Sequence, residues 1–402
     1  MYDAIVIGAR CGGSPTAMLL ARRGLKVLLV DRATFPSDTI STHILWPHGA
    51  EILARWGLLE RLAATGVPPI CRPITFDVGP FALRGTIPDA NDGRGGFCPR
   101  RTVLDHLLVA AAADAGVEVR EGFTVDELLV SDRTVGGIRG HGRGARGVEE
   151  RARIVIGADG VHSFVARTVG AGEYDARPVA ACGYYSYFSG VEQDDIELYV
   201  RDRHAFGGAP TNDALHLVMV NWPAAAFTAV RDDIEGHVWR ALAASPYFAA
   251  RVRAGRREEK WYGIAGVPGY LRKPYGNGWA LVGDASYNRD PITAQGMSDA
   301  FVDAESLTDA IVAGLSGAAS LETALAEHET TRNERVRPMY EFTSHLAQLE
   351  PPPPEMQALF GALRGNQDAT NAFLSAITGA IPIADFMSPD NIGRIMAGAS
   401  CL

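Results

Sequence analysis

The sequence predicts an α/β protein with three parts: a parallel sheet assembled from separated stretches of chain, a second domain built on an antiparallel sheet, and a helical C-terminal segment. Three short apolar runs each lead into a glycine-containing turn, at residues 4–7, 154–156 and 279–282. Aromatic-rich strands between residues 178 and 266 indicate the second sheet. An amphipathic tail broken at Pro382 and Pro389 indicates the helical segment.

Composition excludes several classes of protein. The chain has 402 residues, of which 47% are hydrophobic and 21% charged, as expected for roughly two globular domains. Its net charge of −9 disfavours nonspecific nucleic-acid binding, which needs a basic surface. Its five cysteines contain no C-x-x-C pair, so we expect neither a disulfide framework nor a metal site. We also expect a cytoplasmic protein without signal peptide or membrane span, either monomer or homodimer.

The first apolar run opens a strand–turn–helix–strand unit of about 30 residues. Residues 4–7 read as a buried strand, residues 15–23 as a helix, and residues 27–30 as a second strand that ends at Asp31. The helix N-terminus offers unpaired N–H groups to a phosphate, and an acid at the end of the second strand can accept ribose hydroxyls. This order predicts a Rossmann-like nucleotide site rather than a plain turn.

The turn of this unit, GARCGG, contains one unusual residue. Gly8 permits the tight turn and Gly13 permits close packing of the helix on the strand. Arg10 stands where a glycine normally lets a pyrophosphate approach the backbone. We expect its side chain to contact the adenosine or phosphate end of the nucleotide.

Two later strand ends repeat the combination of glycine and aspartate. The first leads into Gly157, Asp159 and Gly160, and the second into Gly283 and Asp284. After the second, a proline precedes a glycine and a helix over residues 299–313. One such strand end is common in proteins, whereas three in one chain point to a shared site.

With these three motifs in this order, residues 1–335 resemble the flavin-dependent monooxygenases of the para-hydroxybenzoate hydroxylase type. The resemblance implies a discontinuous Rossmann-like FAD-binding domain and an antiparallel-sheet substrate domain. The expected FAD-binding segments are residues 1–73, 97–177 and 267–349; the substrate-domain segments are 74–96 and 178–266; the C-terminal helical segment is 350–402. The chain departs from the family at Arg10, at Cys11 in place of a frequent proline, at Tyr287 in place of a usual histidine, and at Ala294 in place of a glycine.

The resemblance also implies the FAD-contacting residues, one position at a time. Those expected at the adenosine-diphosphate half are Gly8, Arg10, Gly13 and Asp31, with Arg32 and Arg101 as basic neighbours. Those expected near the pyrophosphate and the visiting nicotinamide are Asp159 and Gly160. Those expected around the flavin and its sugar-alcohol chain are Thr42, His43, Gly283, Asp284, Pro291, Gly296, Met297 and Ser298.

Candidates for a substrate pocket come from the predicted antiparallel sheet. Alternation places Tyr185 and Tyr187 on one face of their strand, with Tyr199 on the next strand. The remaining candidates are Leu217, Met219 and Asn221, which share one face of another strand, and Pro291 beside the flavin. Packing of the sheet core is the more common reason for aromatic residues at such positions, and the sequence assigns no catalytic side chain.

The family's chemistry implies a specific reaction. NADH or NADPH would reduce FAD, O2 would form the flavin C4a-hydroperoxide, and one oxygen atom would pass to a small aromatic substrate of phenol or aniline type. Three alternatives stay open: a flavin halogenase, a prenyl-chain reductase, and a non-catalytic FAD-binding redox sensor. The Trp-x-Trp-x-Ile-Pro signature of the halogenases and the Tyr-x-Trp-x-Phe-Pro signature of the reductases are both absent.

Overall fold

The apolar runs of the sequence form β strands. A computed structural model describes residues 1–70, 73–87, 95–193 and 195–399. The strands in these ranges are β1 Tyr2–Ile7, β2 Val27–Val30, β3 Pro69–Ile70, β4 Ile74–Asp77, β5 Ala82–Gly85, β6 Gly96–Phe97, β7 Glu118–Arg120, β8 Phe123–Ser131, β9 Thr134–Gly142, β10 Val148–Gly157, β11 Glu173–Arg177, β12 Ala181–Ser189, β13 Glu197–Arg201, β14 His204–Pro210, β15 Leu215–Pro223, β16 Arg256–Arg257, β17 Tyr262–Ile264, β18 Gly269–Arg272, β19 Tyr275–Gly276, β20 Trp279–Leu281 and β21 Tyr287–Asn288.

The helices lie where apolar residues recur with helical spacing, and several begin at proline. They are α1 Gly13–Arg22, α2 Pro47–Arg55, α3 Leu59–Ala63, α4 Arg101–Asp114, α5 Phe164–Val169, α6 Phe227–Asp232, α7 Ile234–Leu242, α8 Pro246–Ala254, α9 Gly296–Ser316, α10 Leu321–Leu346, α11 Pro354–Leu363, α12 Gln367–Ile377, α13 Ile383–Phe386 and α14 Pro389–Ala399. In the described part of the chain, no helix has the length and apolar character needed to cross a bilayer.

The first large sheet has the strand order β19-β20-β10-β1-β2-β7, and β8 and β9 extend it from β10. Strands β20, β10, β1, β2 and β7 are mutually parallel. Helices α1, α4 and α9 share a hydrophobic core with one face of this sheet. Because parallel strands end at the same edge, the turns after β1, β10 and β20 meet there, as the three sequence motifs predicted.

The second large sheet has the order β16-β12-β15-β14-β13-β4-β5, with β17 also paired to β12. Its segment β4–β5 comes from the predicted stretch 74–96, of which residues 88–94 lie outside the described residues. Helices α7 and α8 pack on one face, and α11, α12 and α13 pack on the other. Within the second group, the Phe76 ring contacts those of Phe360 and Phe373. The exact domain boundaries stay a prediction.

Candidate active site

The glycine turn after β1 is held close to the neighbouring strand end. Gly8 has φ +103°, and a Cβ there would lie 2.4 Å from the carbonyl oxygen of Ala158, which follows β10. A Cβ on Gly13 would lie 1.8 Å from the carbonyl oxygen of Gly8. Both positions therefore exclude any side chain, for the two reasons expected from the sequence: a tight turn and close packing of α1 on β1.

Asp31 closes the other side of this turn. One of its carboxylate oxygens accepts a hydrogen bond from the Ala9 N–H at 2.7 Å, and the other accepts one from the Ala33 N–H at 2.8 Å. A carboxylate has about four acceptor positions, so the predicted ribose contact stays compatible with these bonds. Arg32 points to the exposed surface.

Arg10 is bound by the protein itself. Its guanidinium pairs with Asp105 of α4 at 2.5 Å. It also donates to the Ser37 hydroxyl at 3.1 Å, to the Ser37 carbonyl at 3.2 Å and to the Asp38 carbonyl at 3.1 Å. The Phe35 ring centroid lies 5.4 Å away. Arg10 thus ties the segment after β2 to α4, whereas its contact with a nucleotide stays a prediction.

Replacing Arg10 tests these two roles separately. We expect Arg10→Gly to lower the free energy of unfolding of the apoprotein by about 1–3 kcal/mol, because bonds to a charged donor are lost. Urea denaturation measures this effect. The Kd for FAD of the same variant tests the predicted contact between Arg10 and the nucleotide. A Kd equal to that of wild type would contradict this contact.

Asp284 follows β20, and we infer from its surroundings that it faces a recess of the protein. Its side chain is exposed, and in the described residues its carboxylate has no hydrogen-bond partner. Burial by the surrounding protein nevertheless raises the pKa of this carboxyl to about 6, against the opposing effect of the Arg101 cation. The carboxylate of Asp284 can be accessible to solvent and still poorly hydrated if it faces a cavity lined by protein. Arg101, which is buried, pairs with Asp105 at 2.9 Å.

The first residues of α9 also have features that would allow them to receive a ligand. Gly296 is exposed and a Cβ there would meet no atom within 4 Å. The neighbouring Met297 is buried, and so is Ser298, whose hydroxyl has no hydrogen-bond partner among the described residues. Before the helix, Pro291 is half-buried and Ala294 adopts φ +53°, a conformation that favours the glycine usual at this position. Glycines, a carboxylate and a helix N-terminus therefore fit a dinucleotide here.

Asp159 has a local structural role. Its carboxylate accepts hydrogen bonds from the Ser163 hydroxyl at 2.5 Å and from the Phe164 N–H at 2.6 Å, at the beginning of α5. The next residue, Gly160, has φ +79° and open space where a Cβ would stand. The side chain of Asp159 thus caps α5. Its predicted contact with the cofactor would use the acceptor positions of the carboxylate that stay open.

A buried aromatic cluster lies on the face of the second sheet that carries the predicted pocket. His43 is fully buried, with φ +61°, and its Nε2 lies 2.8 Å from the Tyr187 hydroxyl. Burial lowers the pKa of His43 to about 3, helped by the Arg101 cation, so its imidazole is neutral. The Tyr185 ring lies edge-on to that of His43, with centroids 5.1 Å apart. Among the described residues, the buried Tyr185 hydroxyl and His43 Nδ1 have no partner in hydrogen-bond geometry, although the backbone of Ser41 is close enough to affect the pKa of each group.

The register of the sheet decides which predicted residues join this cluster. Tyr185 pairs with Met219 and Tyr187 with Leu217, so these four share one face. Asn221, opposite Gly183, lies further along that face, and Thr42 precedes His43 as a half-buried residue.

Tyr199 is not brought to the cluster. Across the sheet, Tyr199 lies opposite Phe206, Phe206 opposite Val220, and Val220 opposite Tyr184. Tyr199 therefore lies on the face of Tyr184, which is opposite to the face of Tyr185 and Tyr187. There its ring stacks on Phe206 with centroids 4.8 Å apart, and its hydroxyl donates to Glu197. A single strand's alternation cannot reveal this, because the relation between strands depends on their register.

Sequence reasoning also missed a charged pair at the rim of the cluster. The Arg100 guanidinium lies 4.4 Å from the Tyr187 ring centroid and donates to Glu259 at 2.5 Å. The other oxygen of Glu259 accepts from the Tyr262 hydroxyl at 2.7 Å. Glu259 is remote in sequence from every recognised motif, so only the fold brings it here.

The fold, together with a family match over most of the chain, defines an FAD-dependent oxidoreductase with an α/β cofactor domain. Residues 1–343 match the family model described as "FAD binding domain", and the chain belongs to this family.

Known proteins similar to the chain span several activities. The digeranylgeranylglycerophospholipid reductase of Methanosarcina mazei is 30% identical over 314 residues, which cover 74% of this chain and 72% of the reductase. The structure of the myxobacterial chondrochloren halogenase matches with a TM-score of 0.79 and 24% identity, covering 99% of this chain and 96% of the halogenase. PqsL from Pseudomonas aeruginosa, in complex with 2-aminobenzoylacetate, matches with a TM-score of 0.74 and 24% identity, covering 87% and 96%.

Proposed function

We propose that the protein is a monooxygenase of the para-hydroxybenzoate hydroxylase type, which uses NADH or NADPH and O2 to hydroxylate a small phenol or aniline. The observation that carries this proposal is the buried cluster of His43, Tyr185 and Tyr187, with its two unpartnered polar atoms. FAD, when bound, would supply the redox chemistry, and the family membership supports its presence. We assign Gly8, Gly13, Asp31 and Asp284 to holding it.

The cluster favours a substrate group that both donates and accepts hydrogen bonds. Burial raises the pKa of Tyr187, which stays protonated, and His43 is neutral. If Tyr187 donates to Nε2, then Nδ1 carries a proton and is a donor; in the other tautomer, Nδ1 is an acceptor. A hydroxyl or aromatic amino group can satisfy Nδ1 and the Tyr185 hydroxyl in either case.

The protein around the cluster can orient an aromatic ring and exclude water. The rings of Tyr185 and Tyr262 are stacked, with centroids 5.4 Å apart, and provide flat apolar surfaces. The cluster shares its core with Ala294, in the loop that leads into α9, and with the C-terminal helices. This shared core supports our proposal of a substrate face beside the recess that we assign to FAD, shielded from solvent. In PqsL, 2-aminobenzoylacetate is a ligand that itself carries an aromatic amine.

Halogenation is less well supported, because the flavin halogenases carry a lysine early in the chain and the early lysine of this chain lies far from the proposed site. The sequence has three lysines, and Lys26 is the only one before residue 260. It is exposed at the amino end of β2, and its ammonium lies 4.8 Å from the Tyr2 ring centroid. The recess lies at the carboxyl ends of the strands, so Lys26 is at the opposite edge of the sheet from the proposed chemistry.

Reduction of a prenyl chain is the second candidate function. It is favoured by the M. mazei reductase, to which the chain is 30% identical. The polar atoms of the cluster disfavour it, because an apolar chain would leave His43 Nδ1 and the Tyr185 hydroxyl buried without partners.

Turnover assays separate these functions. We expect FAD-loaded protein to consume O2 and NAD(P)H when supplied with one member of a panel of phenols and anilines, and to form a product heavier by one oxygen. Anaerobic NAD(P)H oxidation with an unsaturated prenyl lipid would instead establish the reductase. Bound FAD without stimulation by any substrate would favour the redox sensor, and failure to bind FAD would overturn the proposal.

Adjacent tyrosines of β12 give a matched test of the pocket. We expect Tyr185→Phe to lower kcat/KM for the hydroxylated substrate about tenfold, because a hydrogen bond worth about 1–2 kcal/mol is lost. Tyr184 faces the other side of the sheet, where its ring stacks on Phe227, so Tyr184→Phe is the control. Equal effects of the two variants on kcat/KM would contradict the placement of the pocket.

A further inference from the structure

The turn that carries Asp284 is held by side chains from outside its own segment. The Tyr270 hydroxyl donates to the carbonyl oxygen of Asp284 at 2.6 Å. The Arg272 guanidinium donates to the carbonyl of Ala285 at 3.0 Å. Two successive carbonyls of the turn are therefore fixed by donors from β18.

Helices α9 and α10 complete this arrangement. The Arg332 guanidinium of α10 donates to the Ser286 hydroxyl at 2.7 Å and to the Ser286 carbonyl at 3.4 Å. On the other side of the turn, the N–H of Gly283 donates to a carboxylate oxygen of Asp303, in α9, at 3.1 Å. Every residue from 283 to 286 thus has a backbone group bound by a side chain of another element.

The donors are buried, and one of them is an unusual cation. Tyr270 is 2% exposed, Arg272 is 7% exposed and Arg332 is fully buried. Arg272 pairs with Glu173 at 2.7 Å. In the described residues, no carboxylate forms an ion pair with Arg332, whose remaining donors meet neutral oxygens such as the Tyr174 hydroxyl at 2.9 Å. Burial of a charge without an ion pair is costly, so the hydrogen bonds of Arg332, including those to the turn, must offset that cost.

We propose that Tyr270, Arg272 and Arg332 are positioning residues that fix the Asp284 turn in the geometry needed to bind FAD. In the part of the chain that the structure describes, no side chain forms a hydrogen bond with the Asp284 carboxylate, so the backbone of its turn sets its direction. Loss of one donor would let the turn relax and aim the carboxylate away from its ligand. This inference rests on the proposed role of Asp284 in holding FAD.

Two tyrosines provide a matched experiment on the apoprotein. Tyr270 and Tyr340 are both 2% exposed, and each hydroxyl donates to a backbone carbonyl at 2.6 Å, Tyr340 to that of Asp175. We expect Tyr270→Phe to raise the Kd for FAD, measured by flavin fluorescence, about fivefold to tenfold. Tyr340→Phe should lower the thermal midpoint of the apoprotein to a similar degree and leave this Kd within about twofold of wild type.

A double-mutant cycle distinguishes positioning from general stabilisation. If Tyr270 acts through Asp284, the effect of Tyr270→Phe on the Kd for FAD should fall below about twofold in an Asp284→Asn background. Additive effects, or equal Kd values for Tyr270→Phe and Tyr340→Phe, would overturn the positioning role while the assignment of FAD to this site survives. A wild-type apoprotein that does not bind FAD would overturn both.

Discussion

Alanine at position 13 is expected to prevent the cofactor domain from folding stably, whereas alanine at position 12 is expected to be tolerated. A Cβ on Gly13 would stand 1.8 Å from the carbonyl oxygen of Gly8, and both groups belong to the backbone. No change of rotamer can relieve that contact, so α1 would have to move away from β1. A Cβ on Gly12 would lie 3.6 Å from Val282, an ordinary van der Waals distance.

The expected cost of Gly13→Ala is about 3 kcal/mol or more in the free energy of unfolding, as for other severe overpacking. Urea denaturation of both variants measures this difference, and FAD binding should be lost along with the fold for Gly13→Ala. Gly12→Ala controls for the change from glycine to alanine in the same turn. Similar unfolding free energies for the two variants would contradict the packing that we describe between α1 and β1.

This pair of glycines shows why much of the cofactor site could be predicted from sequence. The turns after β1, β10 and β20 are each coded by a local pattern, an apolar run followed by glycine. The parallel arrangement of the strands then brings the three turns to one edge. The family resemblance located Asp284 on the third turn, where its side chain is exposed.

The substrate sheet was harder to predict because its contacts are not local in sequence. Strand β14, with the sequence HAFGGAP, was not predicted, since glycine and proline are rare in strands. In the fold its glycines are required: a Cβ on Gly207 would lie 2.3 Å from the carbonyl oxygen of Glu197. The face of Tyr199 depends on this strand's register, so its position could not follow from its own strand.

The contacts of long side chains were also difficult to predict from the sequence. Arg10 was expected to reach a nucleotide, yet its bonds within the protein go to Asp105 and to residues 37 and 38. An arginine can reach several neighbours from one backbone position, and the sequence alone does not say which acceptors the fold will supply. The pairing of Arg100 with Glu259 escaped prediction for the same reason.

Among variants that keep the fold, Asp284→Ala is expected to have the largest effect on FAD binding, a rise in Kd of about tenfold to a hundredfold. The lost interaction is a charge-assisted hydrogen bond worth about 1.5–3 kcal/mol. Asp195→Asn is a matched control, because burial also raises the pKa of Asp195, which lies in the other sheet domain beside Arg84. That variant should leave the Kd unchanged. An unchanged Kd for Asp284→Ala would show that another strand end holds the cofactor.

The pKa of Asp284 adds a dependence on pH with a definite sign. Burial raises this pKa from 3.8 to about 6 in the folded apoprotein, so the folded state binds more protons than the unfolded state between these values. The contribution of Asp284 to apoprotein stability must therefore fall as pH rises from about 4 to 6. FAD binding should show the opposite trend and weaken below pH 6, because the protonated carboxyl is a poorer acceptor.

Asp284→Asn should remove both trends. At pH 7 the variant apoprotein should be more stable than wild type, because the cost of holding an ionised carboxylate in the recess is gone, yet it should bind FAD more weakly. Urea denaturation and FAD titration across pH 4.5–8 measure the two quantities on the same protein. If Asp284→Asn loses both stability and FAD affinity at pH 7, Asp284 supports the fold. If the variant gains stability and loses FAD affinity, the carboxylate is retained for ligand binding at a cost in stability.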